Sequence, residues 1–156
     1  MGIITNDMAR IIEGTRLAFI ATVNADGTPN LSPKSSLGVL DPDHIAFANI
    51  ASPNTVRNLR ANPAIEINAV DIFMRRGYRF KGTAELRPPG TDDFVRIAEP
   101  FWDANGRDFP VHEVVKVHVT EAAPVLSPAY TFIDGITEDV LREAYHAKYG
   151  VRALRD

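Results

Sequence analysis

The sequence predicts a mainly β fold, a six-stranded antiparallel barrel with peripheral helices. Three observations lead there. Apolar and polar side chains alternate at period two through several short segments, the signature of strands with one buried face. Turn-forming groups such as Asp26-Gly27 and Asp41-Pro42-Asp43 separate those segments. Helical periodicity is confined to a few short stretches, and closing six strands into a barrel removes the exposed edges of an open sheet.

The elements follow in chain order. Thr5 or Asn6 caps a short helix through Met8, Ile11 and Ile12 that Gly14 ends. Strand one runs from about Leu17 to Asn24. Strand two passes through Leu37-Gly38-Val39-Leu40 to the turn at Asp41-Pro42-Asp43, and His44 to Ala48 makes strand three. These three read as an antiparallel meander. Ser52 to Arg60 is a two-turn helix closed by Asn62-Pro63. Strand four, Ala64 to Val70, and strand five, Tyr78 to Arg87, each alternate a buried with a wetter face. After Pro88-Pro89-Gly90, residues 92–105 read as helix with a break at Pro100. Strand six, Glu113 to Thr120, sets Val115, Val117 and Val119 against Val114, Lys116, His118 and Thr120. A last helix starts at Thr137 and ends at Gly150.

With 156 residues, 45% of them hydrophobic, the chain can build one core, and a single domain over 1–156 is expected. A formal charge of −3 argues against nucleic-acid binding through bulk electrostatics. The absence of cysteine excludes a disulfide framework, a thiolate metal site and a cysteine nucleophile. No window has the apolar length of a membrane span, and Met1 to Asp7 lacks the pattern of a signal peptide, so a cytoplasmic location is expected.

Two places look suited to an anion. Along strand two, Asn30, Ser32, Lys34 and Ser36 share one face, while Pro29, Leu31, Pro33, Ser35 and Leu37 share the other. The first row presents amide, hydroxyl and ammonium groups to phosphate oxygens. Pro33 lacks an amide proton, so this strand is an edge, a bulge or a point where pairing breaks. The second place is the start of the short helix, where Ser52, Asn54 and Thr55 stand at the positive end of the helix dipole and Arg57 lies one turn in. Taken alone, the first is a solvated hairpin face and the second a helix cap; a phosphate needs donors from both.

Most other signatures are missing. Gly77-Tyr78-Arg79-Phe80-Lys81-Gly82-Thr83 has the glycine spacing of a phosphate loop but lies within a strand and lacks the following lysine. His112-Glu113-Val114-Val115-Lys116 ends in lysine and not in the second histidine of a zinc protease. Histidines 44, 112, 118 and 146 are scattered, with only His112 and His118 placed to approach one site, and no metal is expected.

Phe19-Ile20-Ala21-Thr22-Val23, Asp26-Gly27-Thr28-Pro29-Asn30, Ser32-Pro33-Lys34, Asn58-Leu59 and Asn62-Pro63 occur in this order. Together they resemble the pyridoxamine 5′-phosphate oxidase-like proteins, the FMN-binding split barrels. The resemblance covers about Leu17 to Leu86, with a matching last strand at Glu113 to Thr120. It implies a homodimer with FMN at the subunit interface and an FMN-dependent oxidoreductase of unknown substrate. It further implies phosphate contacts from Ser32 and Lys34 and from Asn54 and Thr55. Pro33 and Ser35 would meet the flavin ring, and Asn49, Ile50 and Ala51 would lie near it. Alternatives are a flavin-binding or electron-transfer protein without turnover, the same fold holding a deazaflavin or a haem, or a barrel without cofactor that serves as an interaction protein. Two departures speak against pyridoxamine phosphate oxidation itself. Asn54-Thr55 stands where the oxidases resemble one another in an Arg-Lys pair, so the phosphate would lean on Lys34 and Arg57. The tail Val151 to Asp156 lacks their Arg-x-His arrangement. Phe101 and Trp102 are read as packing, with the sharper alternative that Trp102, Lys116 and His118 line the open side of the flavin.

Overall fold

The computed structural model describes residues 2–15 and 17–152. Seven strands pair antiparallel in one sheet: β1 (Ala18–Val23), β2 (Pro29–Lys34), β3 (Gly38–Asp41), β4 (His44–Asn49), β5 (Ala64–Asp71), β6 (Arg76–Arg87) and β7 (Glu113–Leu126). Their order is β2-β1-β5-β6-β7-β4-β3. The helices are α1 (Asn6–Gly14), α2 (Pro53–Ala61), α3 (Asp92–Asn105), α4 (Ala129–Phe132) and α5 (Glu138–Tyr149).

This order forces the sheet to curl. In a flat sheet the two edge strands β2 and β3 would stand about 29 Å apart, six spacings of about 4.8 Å. Yet residues 35–37 alone connect them, and the four steps from Lys34 to Gly38 reach at most about 14 Å. The edges therefore come round toward each other without pairing, which is the split of the barrel. Two expectations change accordingly. The predicted strand two is divided at residues 35–37, giving seven strands and not six. The expected three-strand meander is instead two hairpins, β1-β2 and β3-β4, at opposite ends of the strand order.

Local chemistry explains the pieces. Gly27 takes a left-handed φ of 82° in the β1-β2 turn, while Asp26 Oδ1 accepts from the Thr28 amide and hydroxyl at 3.0 and 2.6 Å. Pro33 lies opposite Phe19 on β2, an edge strand with β1 as its only neighbour, so its missing amide proton costs no ladder bond on the free side. Gly82 sits at a register shift in β6, where a Cβ would come within 2.2 Å of the His118 carbonyl. The glycines of the rejected phosphate loop thus serve close strand approach. Strand β7 runs past its expected end to Leu126 and pairs with β6 along its length.

Inside the barrel, Ile20, Ile45, Phe47, Ile67, Phe80 and Val117 are fully buried against Ile11 and Ile12 of α1. Thr5 caps that helix by accepting from the Met8 amide at 3.3 Å. A second apolar layer lies outside: Phe94, Ile97, Ala98 and Phe101 of α3 cover Ala46, Ala48 and Val114. Contrary to the expected break, α3 continues through Pro100. Its apolar face outweighs the single bond lost to the Arg96 carbonyl.

Candidate functional site

The seam between the barrel edges is where the first anion-binding candidate lies. On β2, Asn30, Ser32 and Lys34 are half-buried while Pro29, Leu31 and Pro33 are exposed: the two faces are those the sequence predicts, and the polar one is the more buried. A cleft of about 230 Å³ opens there, walled by Ser32, Pro33, Lys34 and Ser35 on one side and by Ala48, Ile50 and Ala51 on the other. The link that spans the seam forms its rim. Ser36 accepts from the Ala48 amide at 3.0 Å, so its hydroxyl takes the place of the backbone pairing that ends where β3 begins.

Lys34 is the charged group of this cleft. Its Nζ donates to Ser32 Oγ at 2.6 Å and to the Pro33 carbonyl at 3.2 Å, and it stands 5.9 Å from the centroid of the Phe47 ring. No carboxylate pairs with it among the described residues. Burial alone therefore shifts its pKa, pushing it below the ordinary lysine value. An ammonium held among hydroxyl, carbonyl and ring, with no counter-charge, has the chemistry that suits an anion.

The other expected residues are placed differently. Asn49 is buried, and its Oδ1 accepts from the Ser52 hydroxyl at 2.6 Å and the Ser52 amide at 3.3 Å. Ser52 consequently does not cap α2 with its side chain. Asn54 and Arg57 are exposed and bond each other. Thr55 is 1% exposed; its hydroxyl accepts from Asn30 Nδ2 at 3.3 Å. That contact belongs to a network in which Asn30 and Asn58 both donate to Thr22 Oγ1 at 3.1 Å, and Asn58 also donates to Asn24 Oδ1 at 2.9 Å. The network locks α2 onto the β1-β2 hairpin and brings Ile50 and Ala51, which lead into the helix, to the cleft. Six of the ten expected residues thus share the cleft wall, and Asn49, Asn54, Thr55 and Arg57 do not.

The sequence reading missed the neighbouring space. A concavity of about 420 Å³ adjoins the cleft through Ser35 and Ser36 and is bounded by Gly38, Arg96, Pro100 and Phe101. Its signal was the paired serines after the strand break, but the second wall comes from α3, far along the chain. Trp102 lines neither space. It packs against Phe94 at 6.0 Å between centroids, and its Nε1 donates to the Phe109 carbonyl at 2.9 Å, so its role is packing. Lys116 and His118 point to the outer face of the sheet, away from the barrel interior. Of the tail, residues 153–156 lie outside the described residues.

The family model described as pyridoxamine 5′-phosphate oxidase matches residues 4–126. The chain belongs to this family. An uncharacterized protein of Methanocaldococcus jannaschii is 28% identical over 120 residues, covering 76% of this chain and 78% of its own. Among solved structures, HupZ of Group A Streptococcus is 32% identical, covers 80% of this chain and 96% of its own, and superimposes with a TM-score of 0.68. An FMN-binding protein of Syntrophomonas wolfei shares the fold at a TM-score of 0.69 and 18% identity, over 78% of this chain and 86% of its own. The same fold carries an F420 reductase, at a TM-score of 0.59, and a haem storage protein of Vibrio cholerae, at 0.61. Members of this architecture thus differ in the ligand they hold, and the residues of the cleft must decide for each.

Proposed function

We propose that this family member binds FMN in the Lys34 cleft as a homodimer and acts as an FMN-dependent oxidoreductase. The observation that carries the reading is the half-buried Lys34 ammonium without a carboxylate partner, beside the Ser32 hydroxyl. A phosphate monoester supplies the missing charge. The start of α2 carries no side-chain cap from Ser52, but Asn54 and Thr55 stand outside the cleft wall, so the phosphate rests on Lys34 and Ser32. Pro33 and Ser35 form the rim along which a flat ring would lie, and the concavity under α3 leaves room for a substrate beside it. Bound there, the flavin supplies hydride or electron transfer, while the protein contributes position and electrostatics.

The cleft walls carry neither imidazole nor thiolate, so they offer haem iron no axial ligand of the usual kind. A deazaflavin that carries a phosphate meets the same donors, and the F420 reductase of this fold makes it the second reading.

Support for two copies comes from the outer face of β1, β2 and β5. Leu17, Phe19, Leu31 and Ile72 are exposed there around a concavity of about 440 Å³. Asn68 Oδ1, also in this wall, is buried without a hydrogen-bond partner among the described residues. Apolar surface of this kind, around an unsatisfied acceptor, suits a second protein surface better than water. The 230 Å³ cleft is also smaller than the about 300–1,000 Å³ usual for ligand pockets, so a partner wall would complete it.

The test is the absorption spectrum of the purified protein and mass identification of what it releases, followed by Lys34→Ala. A charge-assisted contact is worth roughly 1.5–3 kcal/mol, so FMN should bind about one to two powers of ten more weakly while riboflavin is unaffected. Equal loss of both ligands would remove the phosphate from Lys34. Sedimentation at low concentration should show a dimer, and a monomer that keeps FMN would take the second copy out of the site.

A further inference from the structure

On the outer face of the sheet, β4 and β7 bring His44 opposite His118, although 74 positions separate them in sequence. His44 Nε2 lies 3.4 Å from His118 Nδ1, with ring planes inclined by 54°. On its other side, His44 Nδ1 stands 2.8 and 3.0 Å from the two carboxylate oxygens of Asp41. A carboxylate accepts only, so Nδ1 carries a proton, and in the neutral imidazole Nε2 turns its lone pair toward His118.

The 3.4 Å separation is longer than the about 2.7–3.2 Å of N–H···O hydrogen bonds. It agrees with the about 3.3 Å expected between two nitrogens that each sit about 2.0–2.1 Å from one tetrahedral zinc ion. We propose that His44 Nε2 and His118 Nδ1 form a two-histidine site for Zn²⁺, with Asp41 as the carboxylate that fixes the first imidazole. Carboxylate-backed histidine is the usual arrangement behind a zinc ligand. Asp41 accepts from the Asp43 amide beside His44, and Lys116, whose charge it also feels on the same face, is engaged by Asp93 at 3.1 Å. Among the described residues no group of three His, Cys, Asp or Glu side chains converges on one point. The remaining coordination positions therefore fall to water, which makes the ion exchangeable and leaves places for an outside ligand. His118 is exposed and His44 keeps 26% of its side chain in solvent, so the site is open to entry. The expected pair, His112 with His118, is not the one the fold assembles.

The experiment is calorimetric titration of the intact protein with zinc chloride in metal-free buffer, together with imidazole nitrogen NMR. One zinc per chain is expected, with the ring nitrogens of both His44 and His118 shifting on saturation. His118→Ala, at an exposed position, should keep its fold and flavin content and bind at least tenfold more weakly. Asp41→Asn should weaken binding by about tenfold, as loss of a zinc-backing carboxylate does. No zinc uptake by the unaltered protein, equal uptake by His118→Ala, or ring resonances that do not move would each overturn the site.

Discussion

Two charged clusters in this protein differ in how completely their charges are matched. In the first, Asp7 of α1 receives Arg76 Nη1 and Nη2 at 2.8 and 2.9 Å and the Tyr78 hydroxyl at 2.5 Å, while Arg10 bonds the same carboxylate at 2.6 Å. Arg76 Nε stands 2.5 Å from Glu138 Oε1 of α5 without hydrogen-bond alignment. In the second, Lys34 has a hydroxyl, a carbonyl and a ring but no carboxylate. The closed cluster ties α1, β6 and α5 together and leaves nothing for a ligand. The open one stabilises little and remains free to bind an anion. The pKa directions agree: hydrogen bonds from Arg76, then Tyr78 and Arg10, hold Asp7 well below the usual carboxylate range, whereas burial alone pushes Lys34 down.

The sharpest way to break this comparison is Asp7→Ala. Removing one partner of a buried pair costs about 3–5 kcal/mol, but Asp7 keeps 38% of its side chain exposed, so screening reduces the expected loss to about 2 kcal/mol. Thermal or denaturant unfolding reads it, and flavin content should not change. The pH dependence has a defined sign. Because the folded value of Asp7 is depressed, its contribution is fully present above about pH 4, the ordinary aspartate value, and is lost as pH falls toward the folded value. Asp7→Ala should flatten that acid slope. An unchanged slope would show that other carboxylates govern acid unfolding.

A smaller effect is expected where a closed network borders the open site. Asn58→Ala removes two donated bonds, to Thr22 and Asn24, beside the cleft and should cost about 1–2 kcal/mol, since Thr22 is left buried and Asn24 half-buried. By loosening α2 against the hairpin it should also weaken FMN, and a variant that is destabilised yet binds normally would uncouple the network from the cleft.

The smallest stability change belongs to Lys34→Met. It should leave stability within about 0.5 kcal/mol or raise it, because a desolvated ammonium without a partner is removed. In the unaltered protein, FMN affinity should decline as pH rises through the lowered Lys34 value, before the ordinary lysine value of about 10.4 is reached. A marked loss of stability in Lys34→Met would place Lys34 with Asp7 as a structural charge and erase the contrast.

Much of this architecture is legible in the chain. Period-two alternation and turn residues located most strand segments, because a strand's faces are set by neighbouring residues, though not the separate β3 or the extension of β7 to Leu126. The same rule put Asn30, Ser32 and Lys34 on one face, and Pro33 allowed β2 to be an edge; that this face is the half-buried one is the structure's finding. The division of the second strand was not legible: Ser35-Ser36-Leu37 is compatible with a continuous strand, and only the Ser36 contact with Ala48 fixes the corner. Nor were Thr55 and Asn49 separable from Ser32 by residue type. All three are small polar groups, and their assignment to a network, a loop brace or a cleft wall depends on partners distant in sequence.

Sequence alone therefore determined local periodicity, turn positions and the grouping of Lys34 with Asn30 and Ser32 on one face of a strand, since these follow from backbone geometry over a few residues. Tertiary structure decided which strands are neighbours, which polar groups are already satisfied, and that His44 meets His118 and not His112. Those are long-range outcomes. They depend on how the three-residue link at 35–37 draws the two sheet edges together and on which side chains the curl then leaves without a partner.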